Sequence, residues 1–165
     1  MSIVVSDTGP ILHLKEADLL HLLAKVGYVF IPKAVDTELS ILDSLWKDQK
    51  PKWLKVKELP IEDKYQAELL YNSGMLGPGE SESIILAKCI KADWLLTDDV
   101  SARLFANIIG LEVHGSFGIL LWASVMGYLQ YNEAKQAINR LANTSLWISQ
   151  SVLEKVYKAL DAIFN

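Results

Sequence analysis

The sequence predicts an α/β fold with three layers, in which a mostly parallel central sheet carries helices on both faces. Short apolar runs rich in β-branched residues alternate with longer segments of helical periodicity. Loop signals separate these segments, and the strongest of them is Gly77-Pro78-Gly79. Strands that alternate with helices favour parallel pairing, because each helix carries the chain back to the end of the sheet where it started.

Five short runs, bounded by Gly, Pro, Asp, Asn or Ser, predict the strands. The first is β-branched and leads into an Asp-Thr-Gly-Pro loop. The third alternates apolar residues with lysines, which is typical of an edge strand. The predicted strands cover residues 3–5, 28–31, 53–57, 94–97 and 111–114.

The segments between the strands carry apolar residues at helical spacing. The first is interrupted near Asp18 and closes at Gly27, and Pro32 suits the first turn of the next helix. The predicted helical segments cover residues 11–23, 32–45, 62–71, 80–90 and 104–109, with two or three more helices after Gly115.

Length and composition indicate an ordinary globular domain. The chain has 165 residues, of which 51% are hydrophobic and 22% charged. We expect one domain over residues 1–165, with a C-terminal helical extension from about residue 144. The single cysteine, Cys89, excludes a disulfide and a multi-thiolate zinc site. We see no signal peptide and no apolar run long enough for a bilayer, so we expect a cytoplasmic protein that does not bind a membrane.

The charge balance limits how this chain could meet a nucleic acid. It has 16 basic and 20 acidic side chains, which gives a net charge of −4. A protein that held a duplex by phosphate contacts alone would be more basic. To bind a nucleic acid, the protein would therefore need a local source of positive charge that offsets its net negative charge.

Acidic side chains follow two predicted strands and one loop. Asp7 ends the first strand, Asp98 and Asp99 end the fourth, and Glu80 and Glu82 begin the helix after the glycine-rich loop. Ligands gather at the carboxyl ends of parallel strands, so we expect these groups to converge on one pocket. Carboxylate oxygens suit Mg²⁺ or Mn²⁺, and such an ion would supply the missing positive charge.

Each carboxylate also has a structural explanation. Glu80 and Glu82 lie about 200° apart on a helix, so one of them serves only the helix dipole. Either Asp98 or Asp99 could cap the following helix, and Asp7 could cap the segment after it. From spacing alone, Glu38 could be no more than a solvated helix charge.

The order of these motifs resembles the PIN-domain family. The likeness runs through residues 4–12, 31–39, 77–84 and 92–103, and it spans roughly residues 3–128. The segment Gly115-Ser116-Phe117-Gly118-Ile119-Leu120-Leu121 is similar to a prokaryotic branch near the VapC-type toxin ribonucleases. The resemblance implies a PIN-like α/β fold and a Mg²⁺- or Mn²⁺-dependent nuclease that acts mostly on RNA.

The resemblance also implies roles for particular residues. The implied catalytic set is Asp7, Glu38, Glu82 and Asp99, and the metal ligands are these four residues with Asp98 as the alternative to Asp99. Glu80 is the alternative to Glu82. Supporting roles fall to hydroxyls that could orient carboxylates or waters, and to an arginine that could contact phosphate or form an ion pair: Ser6, Thr8, Thr97, Ser116 and Arg103.

The implied partners are an RNA substrate, an antitoxin protein and a second copy of the chain in a homodimer. Alternatives are a non-cleaving PIN-fold regulatory module and a housekeeping RNA-processing nuclease without an antitoxin. A third alternative is a phosphotransfer or hydrolase domain in which Asp7 is the nucleophile. The Asp-Thr-Gly motif argues against it, because no second nearby carboxylate could serve as the acid–base partner of Asp7. The histidines show no metal-ligand spacing, and packing explains most of the five tryptophans better than base stacking does.

Overall fold

The structure, a computed structural model, describes all residues 1–165 and centres on a five-stranded sheet. The strands are β1 Ser2–Ser6, β2 Gly27–Pro32, β3 Leu54–Lys57, β4 Trp94–Leu96 and β5 Val113–His114. Their order is β3-β2-β1-β4-β5, and every neighbouring pair is parallel. The predicted α/β fold is therefore confirmed, and the run of alternating lysines does form an edge strand.

Ten α-helices and one turn of 3₁₀ helix, Leu20–Leu22, cover the two faces of this sheet. The helices are α1 Thr8–Glu16, α2 Leu23–Val26, α3 Lys33–Leu42, α4 Trp46–Gln49, α5 Ile61–Asn72, α6 Pro78–Cys89, α7 Val100–Ile108, α8 Ser116–Val125, α9 Tyr131–Ala142 and α10 Gln150–Phe164.

The two faces of the sheet bury separate apolar clusters, because successive residues of a strand point to opposite sides. Val4 belongs to a cluster of 24 buried residues that includes side chains of α1–α3 and α8–α10. Val5 belongs to a cluster of 11 buried residues with α5, α6 and α7. These two clusters make the three layers that the sequence predicts.

The first helix begins three residues earlier than predicted. The Asp7 carboxylate accepts a hydrogen bond from the Thr8 amide, which caps the helix at Thr8. Gly9 and Pro10 then occupy the first turn, where the missing N–H of proline leaves no helical bond unmade. The predicted interruption lies at Asp18, whose φ is 58°.

The C-terminal segment packs on the same core as the N-terminal half. Helix α10 contacts α8 and α9, and Val156 and Leu160 are buried in the larger cluster. The amide and hydroxyl of Ser145 both donate to the Glu16 carboxylate at the end of α1. None of the helices has both the length and the apolar composition needed to cross a bilayer.

The path of the chain creates a crevice between β1 and β4. From β1 the chain adds β2 and β3 on one side, and it later adds β4 and β5 on the other. The Asp7 amide donates to the Leu96 carbonyl and closes the β1–β4 pair at its carboxyl end. In open parallel sheets, ligands bind where the strand order reverses in this way.

Candidate active site

A cavity of about 710 Å³ opens at the carboxyl ends of β1 and β4. Its wall carries four of the predicted acidic residues together with two basic side chains: Asp7, Glu80, Asp98, Asp99, His13 and Arg103. The acids that follow the two central strands and the glycine-rich loop thus meet in one pocket. Of the other two predicted acids, neither lines this cavity: Glu82 lines a separate one, whereas the charge of Glu38 still acts on Asp7 and Glu80.

Asp7 lines this pocket with only 4% of its surface exposed. Burial, together with the negative charges of Glu80 and Glu38, raises the pKa of Asp7 to about 7. Hydrogen bonds from the Thr8 amide and from the Thr97 hydroxyl, at 2.6 and 2.9 Å, oppose that rise. The Asp7 carboxylate is therefore fixed in position by hydrogen bonds but has no cationic partner.

Glu38 extends from α3 across the start of α6. Its carboxylate accepts hydrogen bonds from the Thr8 hydroxyl and, at 2.9 Å, from the Gly79 amide. A Cβ atom at Gly79 would lie only 2.5 Å from a Glu38 oxygen, so this approach requires glycine. Glu38 is thus a bridging carboxylate rather than a solvated helix charge.

The two glutamates of α6 point in different directions, as their spacing predicts. Glu80 faces the pocket, where burial and the charges of Asp99 and Glu38 raise its pKa, despite a hydrogen bond from the Gly77 amide. Glu82 accepts a 3.0 Å hydrogen bond from the Ala34 amide at the start of α3 and lines a separate cavity. The carboxylate that joins Asp7 is therefore that of Glu80.

Asp98 and Asp99 have different partners. Asp98 accepts hydrogen bonds from the Ser116 amide and hydroxyl and lies 2.8 Å from His13 Nδ1. Burial alone would raise the pKa of Asp98, but the bonds from His13 and Ser116 hold it below its ordinary value. Asp99 caps α7 through a 2.8 Å bond from the Ala102 amide, which leaves its second oxygen without a protein partner.

The hydroxyl residues suggested by the sequence do not all reach the acids. Thr97 donates to Asp7 and accepts from the Asp99 amide. Thr8 and Ser116 donate to Glu38 and to Asp98, respectively. Ser6 instead donates to the main-chain carbonyl of Asp7 and is fully buried.

Two basic side chains line the pocket, and sequence reasoning missed one of them. Arg103 forms no ion pair with any carboxylate. His13 pairs with Asp98, although the lack of metal-ligand spacing suggested only packing. A usable signal existed, because a helix that starts directly after Asp7 places His13 one turn beyond Gly9 on the same face.

The donor chemistry of the pocket fits a hard divalent cation. The four residues Asp7, Glu38, Glu80 and Asp99 have no ion-pair partner, and all offer carboxylate oxygens. No group of three or more His, Cys, Asp or Glu side chains is arranged to enclose an ion as it stands. Mg²⁺ needs no such cage, since it keeps several waters and takes only one or two carboxylates directly.

An open parallel sheet with uncompensated acids at its switch point defines the class of the protein, an α/β domain with an acidic pocket suited to divalent metal. Residues 3–162 match the family model described as PIN domain, so the chain belongs to the PIN-domain family. This is a family of nucleases that generally use divalent metal ions. No curated protein matches the chain.

Proposed function

We propose that this PIN-domain protein is a Mg²⁺- or Mn²⁺-dependent endoribonuclease that hydrolyses phosphodiester bonds of RNA in the cytoplasm. The observation that carries the proposal is the pocket at the β1–β4 crevice, where burial and the negative charges of Glu80 and Glu38 raise the pKa of Asp7 to about 7. By contrast, the buried carboxylate of Asp36 outside this pocket has Lys50 as a cationic partner. Membership of a nuclease family supports the same conclusion.

Asp7, Glu38, Glu80 and Asp99 would hold the ion directly or through water. Glu80 takes the position that the resemblance gave to Glu82, because Glu80 shares the pocket with Asp7. Asp98 acts as a positioning residue, since all its hydrogen bonds tie together α1, α8 and the end of β4.

When bound, a divalent ion would supply a cationic partner to the unpaired carboxylates and the Lewis acidity that makes water a nucleophile at neutral pH. The side chains of the protein would bind this ion and would be held in position around it. Thr97 and Thr8 fix the carboxylates of Asp7 and Glu38, and Arg103 has its guanidinium available for a phosphate oxygen of the RNA. No side chain has to form a covalent intermediate, because water attacks the phosphorus in line.

We further propose that the protein is the toxin of a toxin–antitoxin pair, in the VapC-type branch, and that it forms a homodimer. The resemblance over Gly115–Leu121 supports the branch. An exposed apolar stripe on α7, formed by Val100, Leu104 and Ile108 one turn apart, supports a protein interface. A short reading frame for an antitoxin next to this gene would favour the toxin over a housekeeping nuclease.

The decisive experiment incubates a structured RNA with the protein in Mn²⁺, in Mg²⁺ and in EDTA. Wild type should cleave internally only with a divalent ion. Asp7→Asn should be at least ~100-fold slower, a barrier increase of about 2.7 kcal/mol. Asp48→Asn is the matched control, because Asp48 is exposed on α4 and its carboxylate forms no ion pair. Cleavage in EDTA, or full activity of Asp7→Asn, would overturn the proposal.

A further inference from the structure

One tryptophan differs from the other four in its exposure. Trp46 is fully buried, and Trp53, Trp94 and Trp122 pack against the larger apolar cluster. Trp147 is 85% exposed in the segment between α9 and α10. Packing therefore explains the other tryptophans but does not explain Trp147.

The segment that carries Trp147 is held on both sides. Ser145 binds Glu16 through its amide and hydroxyl, and Leu146 packs against the larger cluster. On the other side, Ser149 caps α10 through the Val152 amide. The indole is thus presented to solvent by a backbone that is already fixed, which lowers the entropy that binding would cost.

Trp147 stands on the wall of the acidic pocket. It lines the 710 Å³ cavity together with Asp7 and Glu80. It also lines an adjoining cavity of about 330 Å³, and Asp98 and Arg103 are shared by both. A chain of nucleotides with its phosphate at the acids would therefore pass the indole.

We propose that Trp147 is a stacking surface for one unpaired base of single-stranded RNA beside the scissile phosphate. This inference rests on the proposed function and names the form of its substrate. An acidic protein gains little from phosphate contacts, whereas stacking on an aromatic ring contributes about 1–3 kcal/mol per base without regard to charge or sequence. A base held in a duplex cannot stack on the indole, so the site selects unpaired RNA.

The test measures binding of a labelled unstructured 12-nucleotide RNA and of the matching duplex, by fluorescence anisotropy in Mn²⁺ with the cleavage-deficient Asp7→Asn protein. Adding Trp147→Ala should weaken single-strand binding ~10-fold and leave the salt dependence unchanged, since no phosphate contact is lost. Trp147→Phe should restore most of the affinity. Tyr65→Ala is the matched control, because Tyr65 is an exposed aromatic residue on α5 outside both cavities.

Kinetics in the otherwise unchanged protein separate this inference from the proposed function. Trp147→Ala should raise KM ~10-fold and leave kcat within ~2-fold, as expected when ground-state and transition-state binding fall together. If Trp147→Ala had the RNA affinity and KM of wild type, the stacking proposal would be overturned and the proposed nuclease function would stand. The same conclusion would hold if Trp147→Ala weakened only the binding of an antitoxin. Binding that needs Trp147 without any Mn²⁺-dependent cleavage would keep stacking and overturn the nuclease. A wild-type protein that neither binds nor cleaves RNA would overturn both.

Discussion

Asp7 combines two roles with opposite demands on its charge. At the N-terminus of α1 its carboxylate accepts a hydrogen bond from the Thr8 amide, and an ionised carboxylate accepts that bond most strongly. Among buried acids, however, the protonated form is favoured. The second demand is the stronger one, because the pKa of Asp7 rises from 3.8 to about 7. Below about pH 7 the metal-free protein therefore keeps a proton on the carboxylate that would bind a cation.

This proton makes stability depend on pH in the metal-free protein. The folded pKa of Asp7 lies above its unfolded value, so the folded state retains a proton between about pH 4 and pH 7 that the unfolded chain has released. The free energy of unfolding should therefore fall as pH rises through that window, by at most about 4 kcal/mol at 1.36 kcal/mol per pKa unit. Asp7→Asn should lack this contribution, so its advantage over wild type in urea unfolding with EDTA should be larger at pH 8 than at pH 5.

The control for this comparison is Asp48→Asn, which removes an exposed charge outside the pocket. Its stability should follow that of wild type at both pH values. A constant difference between Asp7→Asn and wild type from pH 5 to pH 8 would show that Asp7 does not carry the raised pKa.

Glu80 and Glu82 allow a matched pair of substitutions on one helix. Glu80→Gln should lower RNA cleavage at least ~100-fold, because it removes a charge from the pocket. Glu82→Gln should retain activity within a few-fold and cost at most about 1 kcal/mol, since only the bond to the Ala34 amide weakens. If Glu82→Gln lost cleavage and Mn²⁺ affinity while Glu80→Gln kept both, Glu82 and not Glu80 would be the metal ligand.

At the scale of elements, the start of α6 explains why the loop before it is rich in glycine. The Gly77 amide donates a hydrogen bond to Glu80, and the Gly79 amide donates one to Glu38. Both approaches are possible only at glycine, because a Cβ atom at either position would lie 2.5 Å from the carboxylate oxygen. Pro78 fits the first helical position, where its fixed φ is already helical. The loop is thus shaped around Glu80, which lines the pocket, and around Glu38, whose charge acts on it.

Gly79→Ala should therefore reduce activity without unfolding the protein. The new Cβ atom, 2.5 Å from a Glu38 oxygen, would push that carboxylate off the Gly79 amide. We expect RNA cleavage to fall at least ~10-fold while the melting temperature changes little, because alanine is the better helix former. Gly118→Ala on α8 is the control, since its Cβ would meet nothing closer than 3.7 Å. Equal activity of the two variants would contradict the role of Gly79.

The elements were largely predictable because their signals are local. The β-branched run before Asp7 and the loop Gly77-Pro78-Gly79 mark boundaries that the structure reproduces within a few residues. The start of α1 differs from the prediction because Asp-Thr-Gly-Pro favours a loop, whereas proline is also tolerated in a first helical turn. Parallel pairing followed from the alternation of strands and helices.

The site was predictable only in part, because it depends on how the helices dock. Spacing shows that Glu80 and Glu82 diverge, but which of them faces Asp7 depends on the rotation of α6 against α3 and the sheet. Trp147 carries no local signal of its place beside the acids, and the signal for His13 depends on where α1 begins. Both come to the pocket through contacts between residues far apart in the sequence.

At the scale of the whole molecule, the pocket should respond to divalent ions as a stabilising site. At about 100 times its dissociation constant a ligand adds roughly 2.7 kcal/mol, which corresponds to a rise in melting temperature of about 5–10 °C for a chain of this size. The shift with Mn²⁺ should be larger at pH 8 than at pH 6, because the ion displaces the proton of Asp7. Thermal melts at the two pH values measure both effects.

Chelation provides the control for that experiment. EDTA should return the melting temperature to its metal-free value and leave the circular dichroism spectrum unchanged, since the two apolar clusters do not involve the pocket acids. The Asp7→Asn protein should show a smaller Mn²⁺ shift with less dependence on pH. An identical shift in Asp7→Asn would place the ion elsewhere.

The central position of β1 also bears on how the protein is made. Asp7 meets Thr97 across a sequence separation of 90 residues, and Glu16 meets Ser145 across 129. At roughly 5–20 residues per second, a ribosome has released the first strand several seconds before its partner β4 exists. The acids cannot assemble before residue 99 has emerged, and the wall that carries Trp147 cannot form before residue 147 has emerged. A growing chain that has not yet reached residue 99 therefore carries no assembled acidic pocket.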